Sequence, residues 1–252
     1  GYANLQRIHE NVDLINLSAV RTVKVRLPYP THFQAIQLPW LFFDYDYFIT
    51  VPKIKTLFPT RISCALKNQF GCIPERYKGK YHPYLDDVIA NINLLIRPDL
   101  CVVDGLVGRD VRPQPLNILM VSDDPVATDA AVAELIGLRP TKISHLMKSQ
   151  ELGVGQMNRT KVKVNGREAE NIGSVMKKFK HVNSFYVHMA DFGYLLARTA
   201  NRLSGLGASI VVLSGISMDT LRYSKYEIAR MIISPDCWRT FWNIVKNRTR
   251  DL

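Results

Sequence analysis

Residues 116–138 read LNILMVSDDPVATDAAVAELIGL, and this stretch decides the fold. It opens with an apolar run of strand character, turns through two aspartates, and continues as an alanine-rich segment that ends at Gly137. Asp124 is a good N-cap residue and Pro125 suits the first helical position, so the sequence predicts a helix over residues 125–136.

The same order of strand, loop and helix occurs on both sides of this stretch. Residues 100–103 form a short apolar run that ends at Asp104, and residues 142–151 are predicted as a further helix. A helical pattern over residues 83–95 precedes them and ends before Pro98. This alternation predicts an α/β fold with a mostly parallel sheet covered by helices.

The remaining segments give the domain organisation. Residues 12–17 and 20–27 are predicted as two short strands around a turn, and residues 52–60 as a basic loop after a buried strand. From about residue 180 the pattern is helical. We therefore predict an α/β domain over residues 1–180 and a helical C-terminal extension over residues 181–252, packed on it.

Charge is the unusual feature of the composition, with a formal net charge of +11. Residues 139–180 contain ten Lys or Arg and three Glu. Such a segment suits nucleic acid, an acidic partner, an anionic membrane surface or a phosphorylated small molecule, and a solvated basic surface is the alternative.

Membrane and redox signals are absent from the sequence. No apolar run has the roughly 20 residues that cross a bilayer, and no basic-then-apolar leader opens the chain. The four cysteines form no C-x-x-C pair, so the chain carries no iron–sulfur or zinc ligand motif. These features predict a cytoplasmic protein with reduced thiols.

Basic and hydroxyl side chains gather after a predicted strand. Lys53, Lys55 and Thr56 follow its end, and Lys67 and Asn68 can join them if the next helix folds back. In open α/β sheets ligands bind beyond the carboxyl ends of strands, so these residues predict a phosphate or carboxylate site. The alternative is that these lysines are ordinary solvated surface residues and bind no ligand.

Acidic and histidine side chains complete the candidate site. Asp104 and Asp124 each follow a predicted strand, and if they converge on one edge they suit a divalent cation or a general base. Helix capping is the alternative for Asp124. His82 and His145 are candidates for acid–base catalysis beside Asp104, although a lone histidine is more often structural.

Six motifs, in order along the chain, together resemble the family known as domain of unknown function 362. They are VPKIKT (51–56), ALKNQFGCIP (65–74), KYHP (80–83), VVDGLVG (102–108), DDPVATDAAVAELIGL (123–138) and ISHLMKSQELGVG (143–155). The resemblance implies an α/β domain that often accompanies ferredoxin-like iron–sulfur modules and has no single agreed activity. It points to these residues: Lys53, Lys55, Thr56, Lys67, Asn68, Gly71, His82, Asp104, Asp124, Asp129 and His145.

The chain departs from the family pattern at several positions. Leu57 replaces a usual histidine, Arg61 and Cys64 replace usual glycines, and the loop after Asp104 carries arginines in place of its usual glutamate and glycines. The family's usual first strand, with its Gly-Asp-Ser loop, is not found before these motifs. The resemblance therefore implies a divergent or truncated member.

Three functions remain open at this point. The first is a protein that binds an anionic small molecule, an enzyme linked through redox chemistry to a separate ferredoxin-like partner. The second is a nucleic-acid-binding module that uses residues 139–180. The third is a non-catalytic subunit of an oligomer, with an interface formed by the aromatic residues 40–48 or by the tail helix.

Overall fold

The computed structural model describes residues 11–30, 32–57, 60–75, 78–110 and 113–158 of the chain. These residues belong to one unit, except residues 79–83, which cluster with a second unit. The predicted helical extension, residues 181–252, lies outside the described residues, and so does the boundary predicted near residue 180.

Seven strands and four helices follow one another along this part of the chain. The strands are β1 (Thr22–Arg26), β2 (Ala35–Pro39), β3 (Ile49–Thr50), β4 (Lys53–Leu57), β5 (Arg61–Ser63), β6 (Leu100–Arg109) and β7 (Pro113–Ser122). The helices are α1 (Ala65–Asn68), α2 (Leu85–Leu95), α3 (Pro125–Leu135) and α4 (Ser144–Glu151). Short 3-10 helices are formed by Trp40–Phe43, Gln69–Cys72, Gly79–Tyr84 and Pro140–Lys142.

Strand β6 is the centre of the main sheet. It pairs in parallel with β3 and β4 and antiparallel with β7, while β4 pairs antiparallel with β5. Strands β1 and β2 form a separate antiparallel pair. The predicted α/β class is confirmed, as a mixed sheet with helices around it.

The two faces of the main sheet differ in composition. Along β6, Cys101 and Val103 are buried on the helical side, whereas Asp104 alternates to the other face. Leu119 of β7, which is paired with Asp104 in the register, remains 67% exposed on that other face. Functional side chains therefore occupy two separate environments, one between sheet and helices and one on the open face.

Three of the predicted helices are confirmed, and two predictions about the strands are wrong. The helices predicted over 83–95, 125–136 and 142–151 are present as α2, α3 and α4. The predicted loop over residues 52–60 is wrong, because Lys53–Leu57 is strand β4 beside β6. The predicted pairing of residues 12–17 with 20–27 is also wrong, because β1 pairs with β2.

None of the helices in the described part of the chain combines the length and the apolar content that crossing a bilayer requires.

Candidate functional site

Helix α1 is a single turn, and its first residues are held by an aspartate of another helix. Asp129 of α3 is fully buried and accepts hydrogen bonds from the backbone N–H groups of Ala65, at 2.6 Å, and Leu66, at 3.3 Å. The Cys64 thiol also hydrogen-bonds to this carboxylate. Burial, together with the negative charge of Asp129, raises the pKa of Cys64 well above its usual value, so this thiol stays protonated.

A chain of side-chain amides holds the other end of α1. Asn68 donates to the Thr50 hydroxyl at 2.9 Å, and Thr50 donates to Gln69 at 3.1 Å. Gln69 donates to Asn93 of α2 at 2.9 Å, and Asn93 donates to the carbonyl oxygen of Leu66 at 2.8 Å. Both ends of α1 are thus fixed, and Lys67 projects from a rigid position.

Lys67 of α1 and Lys78 lie near the same aromatic ring, and Lys55 is close enough to repel the charge of Lys67; we call Lys55, Lys67 and Lys78 the lysine cluster. The Nζ atoms of Lys67 and Lys78 lie 5.6 and 6.0 Å from the centroid of the same ring, that of Phe70. Lys78 also donates to the carbonyl oxygen of Gly71 at 2.8 Å. In the described part of the chain no carboxylate forms an ion pair with Lys55 or Lys67.

This convergence changes the acid–base behaviour of Lys67. Burial, with repulsion from Lys55 and then Lys78, lowers the pKa of Lys67 from 10.5 to about 8. Burial also lowers the pKa of Lys78, and the negative charge of Glu75 acts in the opposite direction there. Lys67 is therefore the member of the cluster that is most ready to lose its proton near neutral pH.

Two of the predicted anion ligands bind elsewhere. Lys53 donates to Asp104 at 2.7 Å and to the carbonyl oxygen of Val107 at 3.1 Å, on the open face of the sheet. This ion pair lowers the pKa of Asp104. The Thr56 hydroxyl donates to Asp110 at 2.7 Å. Of the predicted anion-binding residues, Lys55 and Lys67 share the cluster, and Asn68 supports it through Thr50.

The predicted convergence of Asp104 and Asp124 is wrong, because β7 runs antiparallel to β6. Cys101 pairs with Ser122 and Asp104 pairs with Leu119, so Asp124 follows the strand end beside the beginning of β6. Asp104 lies three residues beyond Cys101 along β6, which is about 10 Å at the usual rise of a strand.

Asp124 is committed to capping. One carboxylate oxygen accepts from the N–H groups of Val126 and Ala127 at 2.7 and 2.9 Å, and the other accepts from Gln156 at 2.8 Å. Gly155 lies against this carboxylate so closely that a Cβ atom there would clash with it. Among the described residues, no group of three or more His, Cys, Asp or Glu side chains is arranged to hold a metal ion.

One of the two predicted histidines, His145, lies apart from Asp104. His145 of α4 is fully buried, with Nε2 3.9 Å from an oxygen of Asp129. It therefore lies between sheet and helices, whereas Asp104 is on the open face, so the structure does not bring these two predicted catalytic residues together. His82 is in the 3-10 helix Gly79–Tyr84 and belongs to the second unit.

Lys78 was missed in the sequence, and Asp129 was selected as a site residue only through the family resemblance. Lys78 lies in a basic stretch whose residues look equivalent along the sequence, and only the fold brings it to Phe70. For Asp129 a signal exists, namely an acidic residue within an otherwise alanine-rich and buried helix. Such a residue needs partners in the core, and here they are the N–H groups of α1.

The fold and the site define a class: an α/β protein with a cluster of lysines on a short, firmly held helix beside a mixed sheet. A family model described as "Domain of unknown function (DUF362)" matches residues 1–134. Since this is more than half of the 252 residues, the chain belongs to the DUF362 family, and the resemblance seen in the motifs is confirmed.

A curated relative and the solved structures complete the comparison. The thylakoid-associated protein sll1697 of Synechocystis is 25% identical over 124 residues, which cover 44% of this chain and 39% of that protein. The chain thus spans well under half the length of this relative. No solved structure matches the chain significantly.

Proposed function

We propose that this protein binds an anionic small molecule, a phosphate or a carboxylate, at the lysine cluster. The observation that carries the proposal is Lys67, a half-buried ammonium flanked by Lys55 and Lys78, with no carboxylate partner in the described part of the chain. Gathering like charges in a partly desolvated place costs free energy, and a bound anion removes that cost.

The surroundings of the cluster support this function. Asp129 and the amide chain that begins at Thr50 fix the turn that carries Lys67, so little conformational freedom is lost when a ligand binds. Phosphate and carboxylate groups suit this arrangement because three ammonium groups supply both charge and hydrogen-bond donors.

Several earlier expectations remain predictions. A cytoplasmic location and a ferredoxin-like partner are compatible with the proposal, but neither is part of the evidence for it. The nucleic-acid hypothesis depends on residues 139–180, and these lie outside the described part of the chain from residue 159 onward. The reaction, the divalent cation and the acid–base roles of His82 and His145 also stay predictions.

The proposal is tested by thermal unfolding in the presence of inorganic phosphate, at low and at high sodium chloride. A specific anion at about a hundred times its Kd stabilises the folded protein by about 2.7 kcal/mol. We expect a rise of the unfolding midpoint that persists in high salt. We also expect Lys67→Met to weaken phosphate binding about tenfold, because a charge-assisted hydrogen bond of about 1.4 kcal/mol is lost.

Lys53→Met is the matched control, since it removes a lysine of the same strand that is paired with Asp104. We expect it to leave phosphate binding unchanged. Equal loss of binding in the two variants, or stabilisation that sodium chloride alone reproduces, would contradict an anion site at the lysine cluster.

A second candidate function, an interaction subunit, is favoured by one observation. Phe43, Tyr45 and Tyr47 lie within five residues of one another and expose 50%, 39% and 58% of their surface. Aromatic side chains are enriched at protein interfaces. Analytical ultracentrifugation of the unchanged chain and of a Tyr47→Ser variant tests this candidate. We expect the unchanged chain to sediment as an oligomer and the variant as a smaller particle.

A further inference from the structure

Lys67 differs from the other two lysines of the cluster in what holds its amine. Lys78 donates hydrogen bonds to the carbonyl oxygens of Gly71, at 2.8 Å, and Phe70, at 3.4 Å. Lys67 makes no such hydrogen bond in the described part of the chain, and its Nζ rests over the Phe70 ring. In the described part of the chain, no hydrogen-bond acceptor therefore holds the proton on Lys67, and the attraction of the Phe70 ring face for the charged amine acts against the repulsion from the two lysines.

The two neighbouring lysines and partial burial favour the neutral form of Lys67. Lys55 and Lys78 repel a third ammonium group, and partial burial denies it full solvation. A lysine that is desolvated beside another cationic group is the arrangement that makes an amine nucleophilic near neutral pH. The same two neighbours can hold the negative charge of a substrate while the amine reacts.

We propose that Lys67 forms a Schiff base with a carbonyl compound that also carries a carboxylate or a phosphate group. This inference rests on the proposed anion site and names the class of its ligand. Lys55 and Lys78 bind the anionic group, and the carbonyl carbon is presented to Nζ of Lys67. A 2-oxo acid and a phosphorylated aldehyde both have the required chemistry.

The chemical step balances without an oxidant or a reductant. The neutral amine of Lys67 attacks the carbonyl carbon and forms a C–N bond, giving a carbinolamine. The nitrogen loses two protons in all and the former carbonyl oxygen gains two. The C–O bond then breaks, the oxygen departs as water, and the C=N bond forms. The resulting imine, once protonated, withdraws electrons from the neighbouring carbon, which is what covalent catalysis by lysine supplies.

The experiment is reductive trapping on the full chain at pH 7.5. The protein is incubated with pyruvate or with pyridoxal phosphate in the presence of sodium cyanoborohydride, and labelled lysines are located by peptide mass spectrometry. The exposed Lys24 of β1 is the internal reference. We expect Lys67 to be labelled about tenfold faster than Lys24, because more of its amine is neutral at this pH and that gain exceeds its lower basicity.

Two variants and one competitor complete the design. Lys67→Arg keeps a positive charge but cannot form an imine, so we expect it to lose the adduct at position 67 while Lys24 is labelled at the same rate as before. Lys24→Arg should leave the Lys67 adduct unchanged. Inorganic phosphate should slow labelling of Lys67 and not of Lys24.

Labelling of Lys67 no faster than labelling of Lys24 overturns the inference. If phosphate still stabilises the protein in that case, the anion site stands and only the covalent step is lost. If phosphate gives no stabilisation either, the proposed function falls together with the inference.

Discussion

The carboxylates of α3 and the lysine cluster handle charge in opposite ways. Asp129 is completely buried and receives two backbone N–H groups, and Asp124 receives three. Lys67 is half-buried beside two further lysines, and no carboxylate of the described residues pairs with it. One region satisfies its charges within the fold, and the other leaves them unsatisfied.

The difference separates structural from functional charge. A buried charge that is fully hydrogen-bonded stabilises the fold, whereas an unpaired and partly desolvated charge lowers stability and is kept where binding requires it. By this criterion Asp124 and Asp129 build the site, and Lys67 acts in it. Four substitutions test the comparison, and they are taken from the largest expected effect to the smallest.

Asp129→Ala breaks the satisfied side of the comparison. It leaves the N–H groups of Ala65 and Leu66 buried without a partner, so we expect a loss of about 3 kcal/mol in the free energy of unfolding. Urea unfolding at pH 7 measures it. The exposed Asp46→Ala is the control and should change stability by less than about 0.5 kcal/mol. Similar effects of the two substitutions would mean that Asp129 does not hold α1.

Gly155→Ala probes the second capping carboxylate. The new methyl group would meet the side chain of Asp124 and displace it from the N–H groups that it accepts, at a cost of about 2 kcal/mol. Gly71→Ala is the matched control because a Cβ at Gly71 meets open space. The same urea titration distinguishes them, and an unaffected Gly155→Ala protein would show that the cap tolerates displacement.

Lys67→Met tests the unpaired charge of the lysine cluster. Unlike the two substitutions above, it is expected to raise the free energy of unfolding. The pKa of Lys67 is about 8 in the folded protein and ordinary in the unfolded chain, so the folded state binds fewer protons between pH 8 and 10.5. The penalty on the unchanged protein is therefore complete below pH 8 and fades as the pH rises toward 10.5. We expect Lys67→Met to be more stable by about 1 kcal/mol at pH 7, after allowance for solvent screening.

The pH dependence distinguishes this effect from simple packing. The gain should shrink between pH 8 and 10.5, as followed by thermal unfolding across that range. Lys24→Met, at an exposed position, serves as the control and should show no such trend. If Lys67→Met were less stable than the unchanged protein at pH 7, the charge of Lys67 would not be an unpaired charge that destabilises the fold.

Lys53→Met gives the smallest effect. Its ion pair with Asp104 is exposed on both sides, at 45% and 38%, and such pairs contribute less than about 1 kcal/mol. Because the pair lowers the pKa of Asp104, its contribution is present above the ordinary pKa of aspartate and is lost as the pH falls through the lowered value. A large destabilisation in urea at pH 7 would place Lys53 among the structural charges.

The sequence predicted local structure well and long-range pairing poorly. Capping by Asp124 and the helix that follows depend on neighbouring residues, so the prediction was confirmed. Strand β4 was missed because its partner β6 lies some fifty residues away, and its lysines resemble a loop when that partner is unknown. The orientation of β7 was missed for the same reason, since a hairpin with β6 replaces the expected crossover.

The candidate site was predicted in part, with a physical reason for each error. Lys55 and Lys67 were identified as anion ligands, but the sequence cannot show that Lys53 has its own acid across the sheet. Nor can it show that Lys78 folds back to Phe70. Side chains of one charge are interchangeable along a sequence and become distinct only through their neighbours in the fold.

The most direct test of the account is an NMR titration of the Lys67 side chain with and without inorganic phosphate, with Lys67→Arg used to assign its signal. The account predicts a pKa of about 8 in the free protein. It also predicts a clear rise when phosphate binds, because a neighbouring anion favours the charged amine. A Lys67 pKa at the ordinary value of lysine, unchanged by phosphate, would contradict the anion site at the lysine cluster.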